Sequence, residues 1–165
     1  MKVKVKVPAT SANLGPGFDV AGLALTLYNT FTFELNEGGL NITGCPTQFC
    51  NEENLTYQAF SQAAQSCGLD FKGVNIHCES QVPYTRGLGS SSTCIVAGIV
   101  GAFAFKDKTD DRQEILELAT KIEGHPDNVA PAIFGGLTVS VMEEEQVLTR
   151  ILFCNREMLP LVNGS

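Results

Sequence analysis

The sequence predicts an α+β domain, and two observations lead to this fold class. Some stretches alternate apolar and polar residues, as half-buried strands do, whereas others repeat apolar residues every three or four positions, as helices do. The predicted order is strand, strand, short strand, helix, strand, helix, helix, strand, strand, with no internal repeat and no linker. A mixed order of this kind is typical of a single α+β domain.

The first strands are predicted from strict alternation. Residues 2–7, "KVKVKV", alternate Lys and Val, which indicates a strand with one buried face. Pro8 is expected to end this strand, and the small, polar residues 9–19 are expected to form a loop. Residues 28–35 alternate again and are rich in Thr and Phe, and residues 40–43 form a short partner strand.

The middle of the chain predicts two helices around a strand. Residues 54–67 carry apolar side chains at helical spacing, and Gly68 is a suitable C-terminal stop. Residues 74–79 are predicted as a strand. Residues 90–105 form an apolar helix with serine caps at its start. Small residues should let this helix pack tightly, namely Ala97, Gly98, Gly101 and Ala102.

The last third predicts a helix, a short turn and strands. Residues 110–123 have an amphipathic pattern with acidic residues at the N-terminal end. Residues 125–136 are an apolar turn or short helix that two glycines end. Residues 137–142 and 147–153 are predicted strands. Residues 159–162 resemble the start of a further strand. Of two alternatives, a cut within a longer protein and a natural terminus, this pattern favours the cut.

Composition excludes several classes of function. The chain has 165 residues, 44% of them apolar, and a net charge of −7, which argues against a broad nucleic-acid surface. None of the six cysteines forms a C-x-x-C pair, and the two histidines do not complete a zinc spacing. The N-terminus is not a signal peptide, and no apolar run reaches membrane-spanning length. We therefore expect a cytoplasmic protein with reduced thiols and no membrane partner.

The stretch "VPYTRGLGSSST", residues 82–93, is the first candidate site. Gly87 and Gly89 let the backbone approach an anion closely, and the N-terminus of the following helix adds unpaired N–H donors. The serine hydroxyls could bind phosphate oxygens or a metal. The stretch lacks the Walker A lysine and the third glycine of the dinucleotide fingerprint. The alternative is a capped helix after a turn, and the three serines favour the anion site.

Two further polar stretches could contribute. In "EGHPDN", residues 123–128, Glu123 could supply one oxygen ligand to a nucleotide-bound Mg²⁺. Asp127 and Asn128 could equally cap the next turn, and His125 could be a base or an ordinary residue at a helix end. In the loop of residues 8–19, polar side chains follow a buried strand and could bind a ligand, although a solvated turn is the simpler interpretation.

Together these stretches resemble the GHMP small-molecule kinases. "PYTRGLGSS", residues 83–91, matches the phosphate-loop motif of that superfamily, and residues 8–25 and 123–136 resemble the homoserine kinase family in particular. The resemblance implies that ATP phosphorylates the side-chain hydroxyl of L-homoserine. It implies an N-terminal domain like domain 2 of ribosomal protein S5, followed by a ferredoxin-like domain.

The resemblance also implies roles for single residues. Ser91 and Glu123 would hold Mg²⁺, and Asn128 stands where other GHMP kinases have a catalytic Asp, so that Asn128 and Glu123 are the catalytic candidates. Substrate-binding residues would be Asn13, Asp19, His125 and Asn128. Nucleotide-binding residues would be Pro83, Arg86, Gly87, Leu88, Gly89, Ser90, Ser91, Ser92 and Thr93, with Asn54 near the adenine.

The chain departs from this family in length. Homoserine kinases are about twice as long, and both the C-terminal glycine-rich motif and the arginines expected to bind the substrate carboxylate are absent from residues 1–165. We therefore expect a truncated ATP-binding domain, and a homodimer is among the expected assemblies. Two alternatives remain: a GHMP kinase for a mevalonate-type alcohol, and a non-catalytic ATP-binding module.

Overall fold

The computed structural model describes residues 1–12, 14–15, 20–84, 86–144, 146–153 and 161–164. Within these ranges lie seven strands, four α-helices and a short 3₁₀ turn at Thr47–Phe49. The strands are β1 (Lys2–Ala12), β2 (Ala21–Asn36), β3 (Leu40–Thr43), β4 (Gly73–Ser80), β5 (Leu137–Glu143), β6 (Gln146–Phe153) and β7 (Leu161–Gly164). The helices are α1 (Leu55–Cys67), α2 (Ser90–Ala104), α3 (Arg112–Glu123) and α4 (Val129–Phe134). The predicted α+β class is confirmed.

One sheet joins all seven strands. Its main path is β3-β4-β2-β1-β7, and β5 pairs with the start of β2 and with β6. Only β3 and β4 run parallel among the described pairs; the other pairs are antiparallel. The long strand β2 thus contacts β4 along its second half and β5 at its first residues, which brings distant parts of the chain together at its centre.

The helices cover one face of the sheet, and the core lies between the two layers. Val3, Val5 and Val7 of β1 are fully buried, whereas Lys2 and Lys4 on the other face form exposed ion pairs with Glu34 of β2 and Glu79 of β4. Phe33 of β2 stacks on Phe60 of α1, with 5.4 Å between ring centroids. The alternation read from the sequence therefore identifies the inner face of β1 correctly.

Helix α2 lies at the centre of the helical layer. It packs against α1, α3 and β1, and most of its side chains are buried. A Cβ atom at Gly101 would lie 2.7 Å from the Phe33 ring, and one at Gly98 would lie 2.4 Å from the carbonyl oxygen of Thr56. The predicted tight packing of this helix thus depends on glycines that allow close contact.

Substituting Gly98 by alanine is expected to lower the free energy of unfolding by about 1–2 kcal/mol. Overpacking against the backbone of α1 costs more than the roughly 1 kcal/mol that alanine gains inside a helix. Urea unfolding measures the change. Gly38→Ala is the control, because its Cβ would meet only Asn36 Oδ1, at 3.8 Å. Equal stabilities for the two variants would contradict the packing argument.

Two sequence-based boundaries are wrong. β1 does not end at Pro8 but continues to Ala12, so residues 9–12 are strand and not loop. The register of the β1–β2 pair shifts between Pro8 and Thr10, and the ladder then resumes. A proline has no N–H to donate, and a bulge accommodates it without ending the strand. Likewise β2 begins at Ala21, ahead of the alternating segment.

The outer hairpin of β5 and β6 carries exposed apolar side chains. They are between 47% and 64% exposed, and they are Val141, Met142, Leu148, Ile151, Leu152 and Phe153.

The predicted strand near residue 160 is β7, which pairs with β1 through Lys6 and Leu161. Within the described ranges, no helix is long and apolar enough to cross a membrane.

Candidate functional site

The start of α2 is an uncapped helix N-terminus. Gly89 occupies the N-cap position with φ 67°, and no side chain in the described part of the chain caps the helix. The first helical bond runs from the Thr93 N–H to the Gly89 carbonyl, at 3.0 Å. The N–H groups of Ser90, Ser91 and Ser92 therefore precede the helical ladder and make no hydrogen bond to another described residue. The expected serine caps are not formed, which leaves donors for an anion.

The glycine-rich loop (residues 83–89) is anchored on β1. The N–H of Thr10 donates to the carbonyl of Leu88 at 3.1 Å. A Cβ atom at Gly89 would lie 2.1 Å from Thr10 Oγ1, so a side chain at that position would collide with the strand. Gly87 also has a positive φ, 68°, but its surroundings are open. Glycine is thus needed at position 89 both for the positive φ and for the close approach of the loop to β1.

A hydroxyl and a carboxylate meet beside this helix start. Glu123 is the last residue of α3, and its Oε1 accepts hydrogen bonds from Ser91 Oγ at 3.0 Å and Ser92 Oγ at 3.4 Å. Hard oxygen donors of this kind suit Mg²⁺. In the described part of the chain, no three His, Cys, Asp or Glu residues cluster as a metal site.

Asn128 is oriented by Thr10. Its Oδ1 accepts from Thr10 Oγ1 at 2.9 Å, which leaves the Nδ2 donor for a ligand. Asn128 stands at the N-cap position of α4 but makes no capping bond, so the capping alternative is not observed for it. An amide cannot accept a proton at neutral pH, and this side chain can therefore act as a donor but not as a base.

Asp127 and His125 bind each other. Asp127 is 3% exposed, and its Oδ1 contacts His125 Nδ1 and accepts from the backbone N–H of Asn128 at 2.9 Å. The pair fixes the turn that presents Asn128. Among the described residues, His125 does not line the main cavity. The other two predicted substrate residues, Asn13 and Asp19, lie outside the described residues.

A cavity of about 550 Å³ opens at the start of α2. Its polar end is formed by the glycine-rich loop, the first turn of α2 and Asn128, and its other end is mostly apolar. Of the predicted nucleotide-binding residues, those that line it are Asn54, Arg86, Gly87, Gly89, Ser90 and Ser91. Those outside its described lining are Pro83, Leu88, Ser92 and Thr93. The size suits a nucleotide-sized ligand.

Asn54 has a structural role at the apolar end. Its Oδ1 accepts from the N–H groups of Thr56 and Tyr57, which caps α1. Its Nδ2 donates to the carbonyl of Phe49 at 2.9 Å, and Phe49 lines the cavity. The amide is thus used to fix the cavity wall, and a ligand at this end would meet mainly apolar groups.

Thiols also line the apolar end. Burial raises the pKa of Cys78 to about 12, and burial followed by the hydrogen bond with Cys50 raises the pKa of Cys45 to about 11. Burial raises the pKa of Cys94 as well. All three line the cavity. At neutral pH these groups are uncharged thiols, which keeps this end of the cavity apolar.

Alkaline pH is expected to lower the free energy of unfolding from about pH 9 upward. The folded pKa values of Cys45 and Cys78 lie above the ordinary value of 9.0, so the unfolded chain loses these protons first. The stability is complete below pH 9 and is lost as the pH rises toward the folded values. Urea unfolding between about pH 7 and pH 10.5 measures it. The Cys45→Ala/Cys78→Ala variant should lose less stability over that range, and equal losses would refute the assignment.

A family model described as the GHMP kinases N terminal domain matches residues 54–136, about half of the chain. The chain belongs to the GHMP kinase family. The matched segment includes the glycine-rich loop and α1 to α4. It therefore contains the helix start, the Ser91–Glu123 contact and Asn128.

Relatives of this GHMP kinase chain include homoserine kinases. One from Clostridium beijerinckii is 51% identical over 145 residues, covering 87% of this chain and 49% of the relative. One from Clostridium botulinum is 50% identical over 147 residues, covering 88% and 49%. A Listeria monocytogenes protein described as a homoserine kinase superposes with a TM-score of 0.80 at 34% identity, covering 90% and 53%. The chain spans about half the length of the curated relatives it matches.

Sequence reasoning missed two buried polar residues of this GHMP kinase site. Thr10, fully buried, links the glycine-rich loop to Asn128, and Asn29, 2% exposed, bonds to the start of α2. Both lie on strands. Asn29 has the same parity as Phe31 and Phe33 in β2, so alternation alone would have placed its amide on the buried face. A buried amide requires partners, and that was the available signal.

Proposed function

We propose that this chain supplies the ATP-binding part of a homoserine kinase, which transfers the γ-phosphoryl group of ATP to the side-chain hydroxyl of L-homoserine. The observation that carries the proposal is the uncapped start of α2 beside the Ser91–Glu123 contact, at the polar end of the cavity. The homoserine kinases of the two clostridia, about half identical in the matched region, support the substrate. The product, O-phospho-L-homoserine, belongs to threonine biosynthesis, and we place the reaction in the cytoplasm.

The cavity suggests how ATP would lie. The triphosphate would accept hydrogen bonds from the free N–H groups at the start of α2, where the helix dipole favours negative charge. Arg86, at the rim of the polar end, could add a positive charge. The base would lie toward the apolar end, between Phe49 and the neutral thiols. This arrangement needs no P-loop lysine.

Ser91 and Glu123 would hold Mg²⁺. Their oxygens already lie 3.0 Å apart on two different helices, so little rearrangement is needed to present both to one cation. Bound Mg²⁺ would neutralise charge on the phosphate oxygens during transfer. Ser92, whose hydroxyl also contacts Glu123, helps to keep the carboxylate in place.

In the transfer, the homoserine hydroxyl oxygen forms a bond to the γ-phosphorus, and the bond from that phosphorus to the bridging oxygen of ADP breaks. ADP leaves with the electron pair, and the hydroxyl proton passes to the phosphate or to solvent. Asn128 Nδ2 would donate to an oxygen of the reacting groups and orient them. Asp127 is buried and already bonded, so we assign it no role as a base. Positioning then supplies most of the rate enhancement.

The test is release of ADP that depends on homoserine. Both this chain and a form extended to the length of the curated relatives (the extended form) would be assayed with Mg-ATP and L-homoserine. We expect turnover in the extended form, and its absence would refute the proposal. A panel with mevalonate-type alcohols tests the alternative substrate, and sedimentation tests the expected homodimer.

The half-length match favours one second candidate, a module that binds ATP without catalysis. Isothermal titration of this chain with Mg-ATP, alongside the turnover assay, separates the two. Binding without turnover by residues 1–165 supports the module. Homoserine-dependent turnover by residues 1–165 excludes it.

A further inference from the structure

Asn29 is a buried amide whose oxygen and nitrogen both make hydrogen bonds. It lies in the middle of β2, is 2% exposed, and shares the inner face of the strand with Phe31 and Phe33. A polar side chain at such a position costs stability unless every group is paired. Of its four partners, Ser80 is the cross-strand neighbour in the β2–β4 pair, whereas Gln81, Val82 and Thr93 lie outside that ladder.

The Oδ1 atom of Asn29 holds the chain just before the glycine-rich loop. It accepts from the backbone N–H groups of Gln81 and Val82, each at 2.9 Å, and from Ser80 Oγ at 3.1 Å. These residues end β4 and lead into the loop. Three donors converging on one oxygen fix the direction in which the chain leaves the sheet.

The Nδ2 atom of the same side chain holds the chain just after the loop. It donates to Thr93 Oγ1 at 2.9 Å, and that hydroxyl donates to the carbonyl of Ser90 at 2.7 Å. Both residues lie in the first turn of α2. A single amide therefore ties the entrance of the loop to its exit.

Fixing both ends has a physical consequence for the loop between them. Gly87 and Gly89 give this segment large conformational freedom, and closing the ends reduces the number of arrangements it can adopt. A site whose donors are already in position loses less entropy when its ligand binds. Thr10, through its N–H bond to Leu88, fixes the far side of the same loop.

We infer that Asn29 is the positioning residue of the glycine-rich loop, which holds the free N–H groups at the start of α2 in place for an anionic ligand. Asn29 lines the cavity, but the oxygen and the nitrogen of its amide both bond to the chain at the two ends of the loop, so Asn29 acts through the loop and not by touching the reacting atoms. The identity of the ligand as Mg-ATP rests on the proposed function. The positioning of the loop by Asn29 does not depend on the proposed function.

The experiment compares Asn29→Ala with Ser140→Ala in this chain. Ser140 is the matched control, because its buried hydroxyl bonds Thr149 Oγ1 at 2.8 Å between β5 and β6 and touches no part of the loop. Two quantities are measured: the exchange rate of the Thr10 amide, which bonds to the loop but not to Asn29, and the Kd for Mg-ATP. We expect Asn29→Ala to raise both by about 10-fold and Ser140→Ala to change each by less than about 2-fold.

Each outcome decides the inference. Equal Thr10 exchange in the two variants overturns the positioning role, and faster exchange only in Asn29→Ala supports it. If the unsubstituted chain does not bind Mg-ATP, the proposed function fails, while amide exchange still decides the role of Asn29. If Asn29→Ala does not fold, Thr93→Val takes its place with the same expected exchange at Thr10. This variant removes the bond from Asn29 to α2 together with the Thr93–Ser90 bond, and it keeps the bonds to Asn29 Oδ1.

Discussion

Replacing Ser91 or Glu123 by alanine is expected to lower the turnover number of the extended form by about 10²- to 10³-fold. Each substitution removes one oxygen from the contact proposed to hold Mg²⁺, so the charge that develops on the phosphate oxygens is less well neutralised. The loss corresponds to about 3–4 kcal/mol of transition-state stabilisation. Folding should change little, because Ser91→Ala loses only the Ser91–Glu123 bond and Glu123→Ala loses that bond and the longer one from Ser92 Oγ, each worth about 1 kcal/mol at most.

The chain contains a matched control for this prediction. Ser66 Oγ donates to Glu114 Oε1 at 3.2 Å, a serine–glutamate contact between α1 and α3 that lies outside the described cavity lining. Ser66→Ala should leave turnover within about 2-fold and stability within about 0.5 kcal/mol. Steady-state kinetics and urea unfolding of the variants measure both quantities. Wild-type rates in Ser91→Ala and Glu123→Ala would show that the metal assignment is wrong.

Gly89→Ala is expected to weaken Mg-ATP binding by at least about 10-fold and to lower turnover accordingly. Alanine at this position must adopt φ 67° at the N-cap of α2, which costs about 1–2 kcal/mol. In addition, its Cβ would lie 2.1 Å from Thr10 Oγ1. To relieve the contact, either the loop moves away from β1 or Thr10 gives up its bond to Asn128.

Gly87→Ala separates these two causes. Gly87 has nearly the same φ, 68°, but a Cβ there would have no atom within 4 Å. It should show only the conformational cost, and therefore a smaller loss of affinity than Gly89→Ala. Titration calorimetry with Mg-ATP gives both Kd values. A loss of affinity in Gly87→Ala as large as that in Gly89→Ala would argue against the close approach to β1 as the cause.

The sequence predicted correctly those helix ends that are determined by residues adjacent in the chain. Gly68 ends α1 in the left-handed conformation, as residue type and spacing predicted. Asn54 was predicted as the first helical residue, and the structure shows that it is the cap of α1. Pro8 misled because its effect depends on the register with β2, which no local pattern reveals. The prediction that a serine caps α2 was wrong for a related reason, since Gly89 in the left-handed conformation takes the cap position.

The candidate site could be predicted only where its residues lie within one motif. Ser91 and Glu123 follow from the family resemblance, and the structure places them in contact. The bonds of Thr10 to Asn128 and of Asn29 to Thr93 join residues far apart in sequence. Such pairs depend on the sheet pairing and on the packing of α2, so alternation could indicate that Asn29 is buried but not which groups it meets.

Because α2 is buried and also begins the anion site, selection for stability and selection for ligand affinity act on the same helix. The helix whose first turn carries the free N–H groups is also the one wedged between the sheet and α1, with glycines at its contacts. A substitution in the middle of α2 that shifts the helix along its axis also moves its first turn. Substitutions at Gly98 or Gly101 that leave the chain folded can therefore still alter ligand affinity, and a screen for affinity variants should recover substitutions in the hydrophobic core.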